Sequence, residues 1–301
     1  MENVQPFDEW MCSWNGLRPK RGKWTFWASL YQNKWSPWIR YAEWGEKSQK
    51  TFQHAPQGSL VESYQDAVYP KDGLCSSFRL KVEAEEGADL TQLESFYVSV
   101  STLAKLDTSL PSIPLSTVSL LNVPRQSQFK LNHPRAKDLC SPTATSTAIN
   151  FLLRSNQVDP VAFAAKIHDE TFDIYGNWIL NTAEAHAELK GKFSCHVERL
   201  SSFAALHAYL TRALPVVTSV RGPLPGSFHP LTFGHLICVI GFQAETKQVL
   251  CIDSAFPENE QTLVKYALKD FIDAWGRRQN IAYVFSPKHL TSTLETMMGQ
   301  S

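Results

Sequence analysis

The sequence predicts an antiparallel β-sandwich domain followed by an α+β domain, and three observations carry that reading. Seven of the nine tryptophans fall between Trp10 and Trp44, so the two parts of the 301-residue chain differ in composition. Strict apolar–polar alternation occurs before residue 100, and no amphipathic run of helical length does. Beyond residue 140, stretches with helical spacing precede short apolar runs, the signature of a mixed domain. The segment 107–117 (DTSLPSIPLST) breaks both periods and marks the junction. The expected division is a jelly-roll-like sandwich over 1–115, an α+β domain over 116–290 and a tail over 291–301.

In the first domain, Phe78, Leu80, Val82 and Ala84 alternate with Arg79, Lys81 and Glu83. Phe96, Val98 and Val100 alternate likewise with Tyr97, Ser99 and Ser101. A period of two with one apolar face is a half-buried strand. Turn signals at Lys71-Asp72-Gly73 and Glu86-Gly87 separate the segments, so an antiparallel sandwich is the economical arrangement. Trp24, Trp27, Trp35, Trp38, Tyr41 and Trp44 have two readings. They supply core bulk to a small sandwich, the commoner use of aromatics on short strands, or they form a flat platform for sugar rings, with a glycan as candidate partner.

In the second domain, Ala144, Ala148, Phe151 and Leu152 recur at helical spacing, with Pro142 near the start, so a helix opens at Cys140. Asp159-Pro160 opens a second helix to about His168, 177–190 is a third, and 201–214 a fourth with serine at its cap. Pro215 begins a strand-like run to Arg221. The runs 235–242 and 249–253 form a hairpin, and 280–285 adds a last strand.

Composition excludes several functions. Lys plus Arg and Asp plus Glu both number 29, and the isoelectric point is near 7.1, so nothing draws the whole chain to phosphate backbones or anionic lipid, and no nucleic-acid partner is expected. Residues 1–14 contain Glu2, Asp8 and Glu9 and lack the apolar run of an export signal, and 236–242 is too short to span a bilayer. Six cysteines without a CxxC pair argue against a zinc ribbon or a disulfide scaffold, and a reducing, cytoplasmic setting is expected.

The chemistry concentrates on Cys140. A helix N-terminus favours a thiolate through its dipole and its unpaired amides. Cys12, Cys75, Cys195, Cys238 and Cys251 lie in no such setting and read as small buried hydrophobes. A nucleophilic cysteine needs a base, and among the nine histidines His235 is the best placed, opening an apolar strand directly after Gly234. His168, His186 and His207 fall on predicted helices, and His54, His133, His196, His229 and His289 on loops or ends. Asp253, ending the next strand, can fix the tautomer of His235. If Gln243 faces Lys247 across a three-residue turn, Ile237 faces Asp253, and Asp253 lies diagonal to His235 on the same face. A register shifted by one sets Cys238 opposite Cys251 and moves Asp253 to the other face; barring a bulge, disulfide and triad exclude each other. The Cys140 amide is one donor for a developing oxyanion, and Gln126 or, preferably, Gln128 supplies the second.

LNVPRQSQF, LCSPTATSTAINFLL, FGHLICVIGF and VLCIDSAF together resemble the papain-like cysteine peptidases of the bacteriocin leader (double-glycine) peptidase type. The resemblance covers about residues 120–285 and extends to GNWILNTAEAHA and YALKDFIDAW, which look like a bacterial branch not fused to a transporter. It implies a papain-like domain with Cys140 as nucleophile, His235 as base and then acid, Asp253 as orienting group and Gln128 as oxyanion donor, with no metal or organic cofactor. Two positions depart from the family pattern: Cys140-Ser141-Pro142 stands where Cys-Gly-Pro is common, and Asp253 is followed by Ser254 instead of proline.

The expected function is therefore a cysteine peptidase or amidase hydrolysing a peptide or peptide-like amide, its sandwich binding or positioning the substrate. The alternatives are a non-hydrolytic glycan- or partner-binding protein on the same scaffold and a thiol acyltransferase. Ser227–His229, in a Gly- and Pro-rich stretch before His235, are expected to form a mobile loop that gates the cleft.

Overall fold

The computed structural model describes residues 4–288; the expected tail 291–301 and His289 lie outside the described residues. Eight strands build the first half: β1 (Glu9–Gly16), β2 (Lys23–Tyr31), β3 (Ile39–Gly45), β4 (Gln49–Thr51), β5 (Val61–Tyr64), β6 (Ala67–Pro70), β7 (Ser77–Glu85) and β8 (Leu93–Ser101). They pair antiparallel as two sheets, β5-β6-β1-β8 and β4-β3-β2-β7. The two alternating segments of the sequence are β7 and β8. Aromatics fill the space between the sheets: Trp14 stacks on Phe26 at 4.1 Å between centroids, and Trp10 meets Tyr41 edge-on at 5.0 Å.

The aromatic cluster divides between the core and the outer face of a sheet. Trp24, Tyr41 and Trp44 are fully buried in the core. Trp27, Trp35 and Trp38 lie on the outer face of the second sheet, covered by cations: Arg79 sits 4.1 Å from the Trp35 ring and Lys81 4.9 Å from Trp27. Alternation along β2 separates Trp24 from Trp27, since successive side chains point to opposite faces.

The second half comprises β9 (Val118–Ser119), α1 (Cys140–Leu153), α2 (Pro160–Ile167), α3 (Trp178–Glu188), β10 (Phe193–Arg199), α4 (Phe203–Thr211), β11 (Val216–Val220), β12 (His235–Gln243), β13 (Gln248–Ile252), β14 (Leu263–Ala267), α5 (Leu268–Gly276) and β15 (Ile281–Pro287). Its sheet runs β10-β15-β11-β12-β13-β14, with β9 added beside β12. Helix α1 packs against β12, α2 and α3 and is buried from Ser141 to Asn150. Its Ala, Ser and Thr residues permit that close packing, and the hydroxyls of Ser141, Thr143 and Thr145 find partners, Thr143 Oγ1 in the Leu139 carbonyl at 2.6 Å. The Asn177 and Ser202 side chains cap α3 and α4, and Asp159 caps α2 ahead of Pro160. None of the helices described is long and apolar enough to cross a membrane.

Strand β10 is among the elements that escape the sequence reading. β10 (FSCHVER) carries His196 in mid-strand, where the sequence suggested a loop or an end. It is an edge strand whose backbone is satisfied by side chains of the sandwich. Asn15 Nδ2 donates to the Cys195 carbonyl at 2.6 Å, Asn15 Oδ1 accepts from the Cys195 amide at 2.9 Å, and Ser13 Oγ accepts from the Val197 amide. Capping an edge in this way removes an unpaired ladder from water. The seam also buries an ion pair: the Arg199 guanidinium grips Glu9 through Nε and Nη2, with Nη2 to Oε1 at 2.6 Å.

The hairpin register differs from the simple expectation. Gln243 pairs with Gln248, so the turn holds four residues, not three. A β-bulge then places the extra residue Ile240 between Val239 and Gly241, after which Val239 faces Cys251 and Cys238 faces Ile252. Continued by one step, that register sets Ile237 opposite Asp253, as the three-residue turn would have done. Cys238 and Cys251 are free thiols. Gly241 is required where it stands, because a Cβ there would lie 2.5 Å from the Val118 carbonyl of β9.

Candidate active site

Three elements converge on a cleft of about 880 Å³ lined by Cys140, His235, Gln128, Trp178, Asp66 and Arg278, among others. Cys140 is the first residue of α1, whose N-cap Leu139 offers no side-chain acceptor, so the amides of its first turn have no intrahelical partner. His235 is the first residue of β12 and is 4 % exposed. Its Nε2 lies 2.6 Å from Asp253 Oδ1. The thiol of Cys140 is hydrogen-bonded to the same ring, and since Nε2 serves Asp253, Nδ1 is the nitrogen left for sulfur.

Burial alone would keep Cys140 protonated. The hydrogen bond and charge of His235, with the amides of Leu236 and Ser141, outweigh burial and hold the thiol below its ordinary range. Burial likewise opposes an imidazolium, yet Asp253, and after it Cys140, raise His235 to about 10. Both shifts run in the direction of a thiolate–imidazolium pair. The other cysteines show the contrast: burial pushes Cys75 up to about 11 and drives Cys12, Cys195, Cys238 and Cys251 higher still.

Asp253 is wholly buried and accepts three donors. Besides His235, the Ala255 amide reaches Oδ1 at 2.9 Å and the Tyr266 hydroxyl reaches Oδ2 at 2.6 Å. Burial raises its carboxyl, but His235, Tyr266 and Ala255 hold it below the usual range. Tyr266 is a residue the sequence reading missed. It lies on β14, inside the YALKDF run where no strand was expected; β14 pairs with β13 and brings Tyr266 beside the acid.

Gln128 is buried and lines the cleft, whereas Gln126 bonds only to its neighbour's carbonyl at Ser127. The Gln128 amide is fixed at both ends. Its Oε1 accepts from Ser254 Oγ at 2.8 Å, and its Nε2 donates to the carbonyl of Lys137 at 2.7 Å and to that of Ala136 at 3.3 Å. The Ser254 carbonyl also accepts from the Gln128 amide at 2.9 Å. The serine that departs from the family's proline thus ties the acid turn to Gln128. Of the expected gating loop Ser227–His229, His229 lines the cleft, followed by residues 230–233, and its ring meets that of Phe129 at 5.6 Å. Among the described residues, no group of three His, Cys, Asp or Glu side chains is placed to hold a metal ion.

An α+β domain with a cysteine heading its buried helix, and a histidine and an aspartate on the adjoining strands, is of the papain-like cysteine-peptidase class. Residues 120–283 match the Peptidase_C39 like family, and the chain belongs to that family. Among solved structures, it is similar to xylellain, a cysteine protease from Xylella fastidiosa, at 12 % identity and a TM-score of 0.37, over 62 % of this chain and 93 % of that one. No curated protein matches the chain.

Proposed function

We propose that the protein is a cysteine peptidase or amidase that cuts a peptide or peptide-like amide through Cys140, His235 and Asp253. The observation that carries this reading is the single imidazole of His235 shared between the Cys140 thiol and the buried Asp253 carboxylate. The thiolate attacks the carbonyl carbon and charge builds on its oxygen. The Cys140 amide stabilises that oxyanion, joined by Gln128 Nε2, which gives up its weaker bond to Ala136 and keeps the one to Lys137. The imidazolium passes its Nδ1 proton to the leaving amine, the C–N bond breaks, and a thioester remains. His235 then takes a proton from water, whose oxygen attacks the thioester and releases the acid and the thiol. Asp253 holds the ring and its charge throughout.

Alkylation with iodoacetamide from pH 4 to 9, read by mass on each cysteine, tests the assignment. Cys140 should label rapidly and selectively well below the ~8.5 of a free thiol. His235→Ala should abolish that advantage. Equal, slow labelling of Cys140 and the buried cysteines would overturn the reading and leave a binding scaffold.

A further inference from the structure

Arg278 stands apart from the other arginines that line or support the cleft. Arg135 is paired with Asp138 and Asp173, and Arg199 with Glu9. Arg278 has no carboxylate within ion-pair distance among the described residues. Its Nε donates to Ser219 Oγ at 3.2 Å and its guanidinium lies 5.3 Å from the Trp178 ring centroid, while Nη1 and Nη2 make no hydrogen bond to any described residue. The side chain rests on Gly234, directly before His235: a Cβ at Gly234 would lie 3.7 Å from Arg278 Nε. Cys140 and Arg278 line the same cleft, and the Tyr283 hydroxyl, on the strand that follows Arg278, is 3.0 Å from Ser141 Oγ beside the nucleophile.

The backbone of Arg278 is held from behind. Arg199 Nη1 donates to the carbonyls of Arg278 and Gln279 at 3.0 and 2.7 Å, and Arg199 is itself gripped by Glu9 of the sandwich. In front, the sandwich turn carrying Gln65 and Asp66 forms a wall of the same cleft, with Asp66 Oδ1 committed to the amides of Trp178 and Ile179. A planar fork of donors, held in place and left open towards the cleft, matches a carboxylate.

We propose that Arg278 binds a carboxylate of the substrate next to the amide being cut, so that the substrates are peptides carrying a free terminal carboxylate or an acidic side chain at that point. The proposal rests on Cys140 being the nucleophile. Three alkylating probes test it on the full chain: chloroacetyl-glycinamide as neutral reference, chloroacetyl-glycine for a terminal carboxylate, and the α-amide of chloroacetyl-glutamate for a side-chain carboxylate. In each the thiolate attacks the CH₂ carbon and chloride leaves. The acid-to-neutral rate ratio at Cys140 cancels any change in the thiolate itself. In Arg278→Gln it should fall on the order of tenfold for at least one acid, as loss of a charge-assisted bond requires; which acid is affected identifies the source of the carboxylate. An unchanged ratio for both overturns the proposal. Should the variant fail to fold, protection of parental Cys140 from chloroacetyl-glycinamide decides: N-acetylglycine or the N-acetylglutamate α-amide should protect where N-acetylglycinamide does not, and lack of protection by both acids refutes the carboxylate site. Failure of the neutral probe to select Cys140 refutes the nucleophile instead.

Discussion

Replacing Asp253 with asparagine removes the charge that holds His235 protonated while keeping the shape of the group. His235 stands at about 10 against an ordinary 6.5. At 1.36 kcal/mol per tenfold, that difference corresponds to ~5 kcal/mol in favour of the imidazolium, with Asp253 and Cys140 both acting in that direction. The ring is only 4 % exposed, so water does little to replace the lost partner. In the parent, the ion pair is lost at the acid side as the Cys140 thiolate takes a proton, and at the alkaline side as His235 loses one near 10. In Asp253→Asn the histidine is neutral at neutral pH and the thiol moves up towards an ordinary value. A free thiol near ~8.5 is roughly 0.3 % ionised at pH 6, so alkylation of Cys140 by iodoacetamide at that pH should slow at least tenfold, with about 300-fold as the ceiling. Pseudo-first-order labelling followed by mass across pH 4 to 9 measures it. Rates within twofold of the parent over that range would refute the argument that Asp253 sustains the pair.

Ser254→Ala removes the donor that fixes Gln128 Oε1, and should weaken binding of a short N-acetyl peptide aldehyde on the order of tenfold, since the hemithioacetal oxygen then lacks a well-aimed donor. Iodoacetamide labelling of Cys140, which forms no oxyanion, should be unchanged; equal aldehyde affinity would remove Ser254 from that role. Glu9→Gln strips one partner from a fully buried pair and should destabilise the protein by about 3–5 kcal/mol in urea unfolding. A loss below about 1 kcal/mol would show that the seam between the halves does not depend on it.

Much of the site was legible in the sequence because its signals are local. Pro142 and the spacing of Ala144, Ala148, Phe151 and Leu152 announce α1, and a helix beginning at a cysteine makes its own case. Gly234-His235 and Asp253 bracket two apolar runs separated by a polar turn, which is enough to propose the hairpin. The unread parts depend on the partner across space. Tyr266 lies on a strand only five residues long that runs straight into α5, so local pattern cannot separate the two. β10 is an edge strand whose missing neighbour is replaced by Asn15 and Ser13, almost two hundred residues away in sequence. The bulge at Ile240 leaves no mark, since isoleucine suits any strand position. The division of the tryptophans between core and outer face needs the sheet pairing, which composition does not contain. Arg278 is one charge among several after α5 in the sequence, and only Gly234, Trp178 and Ser219 around it set it apart.

The bulge at Ile240 gives the hairpin a mechanical property of its own. Two layouts of this stretch deliver the same parity at Asp253: a four-residue turn with one looped-out residue, as observed, and a three-residue turn with none. The outer end of the hairpin can therefore slip by one pairing step, with the bulge taking up the slack, before any displacement reaches the histidine. Residues 244–247 form a tip whose length errors are absorbed locally, as slack in a belt is taken up by an idler wheel. The clamp of β9 on Gly241 and Phe242 sits where the slack ends. Insertions are best directed outward of that clamp, and a single residue added between Leu250 and Asp253 would turn the acid away from its partner.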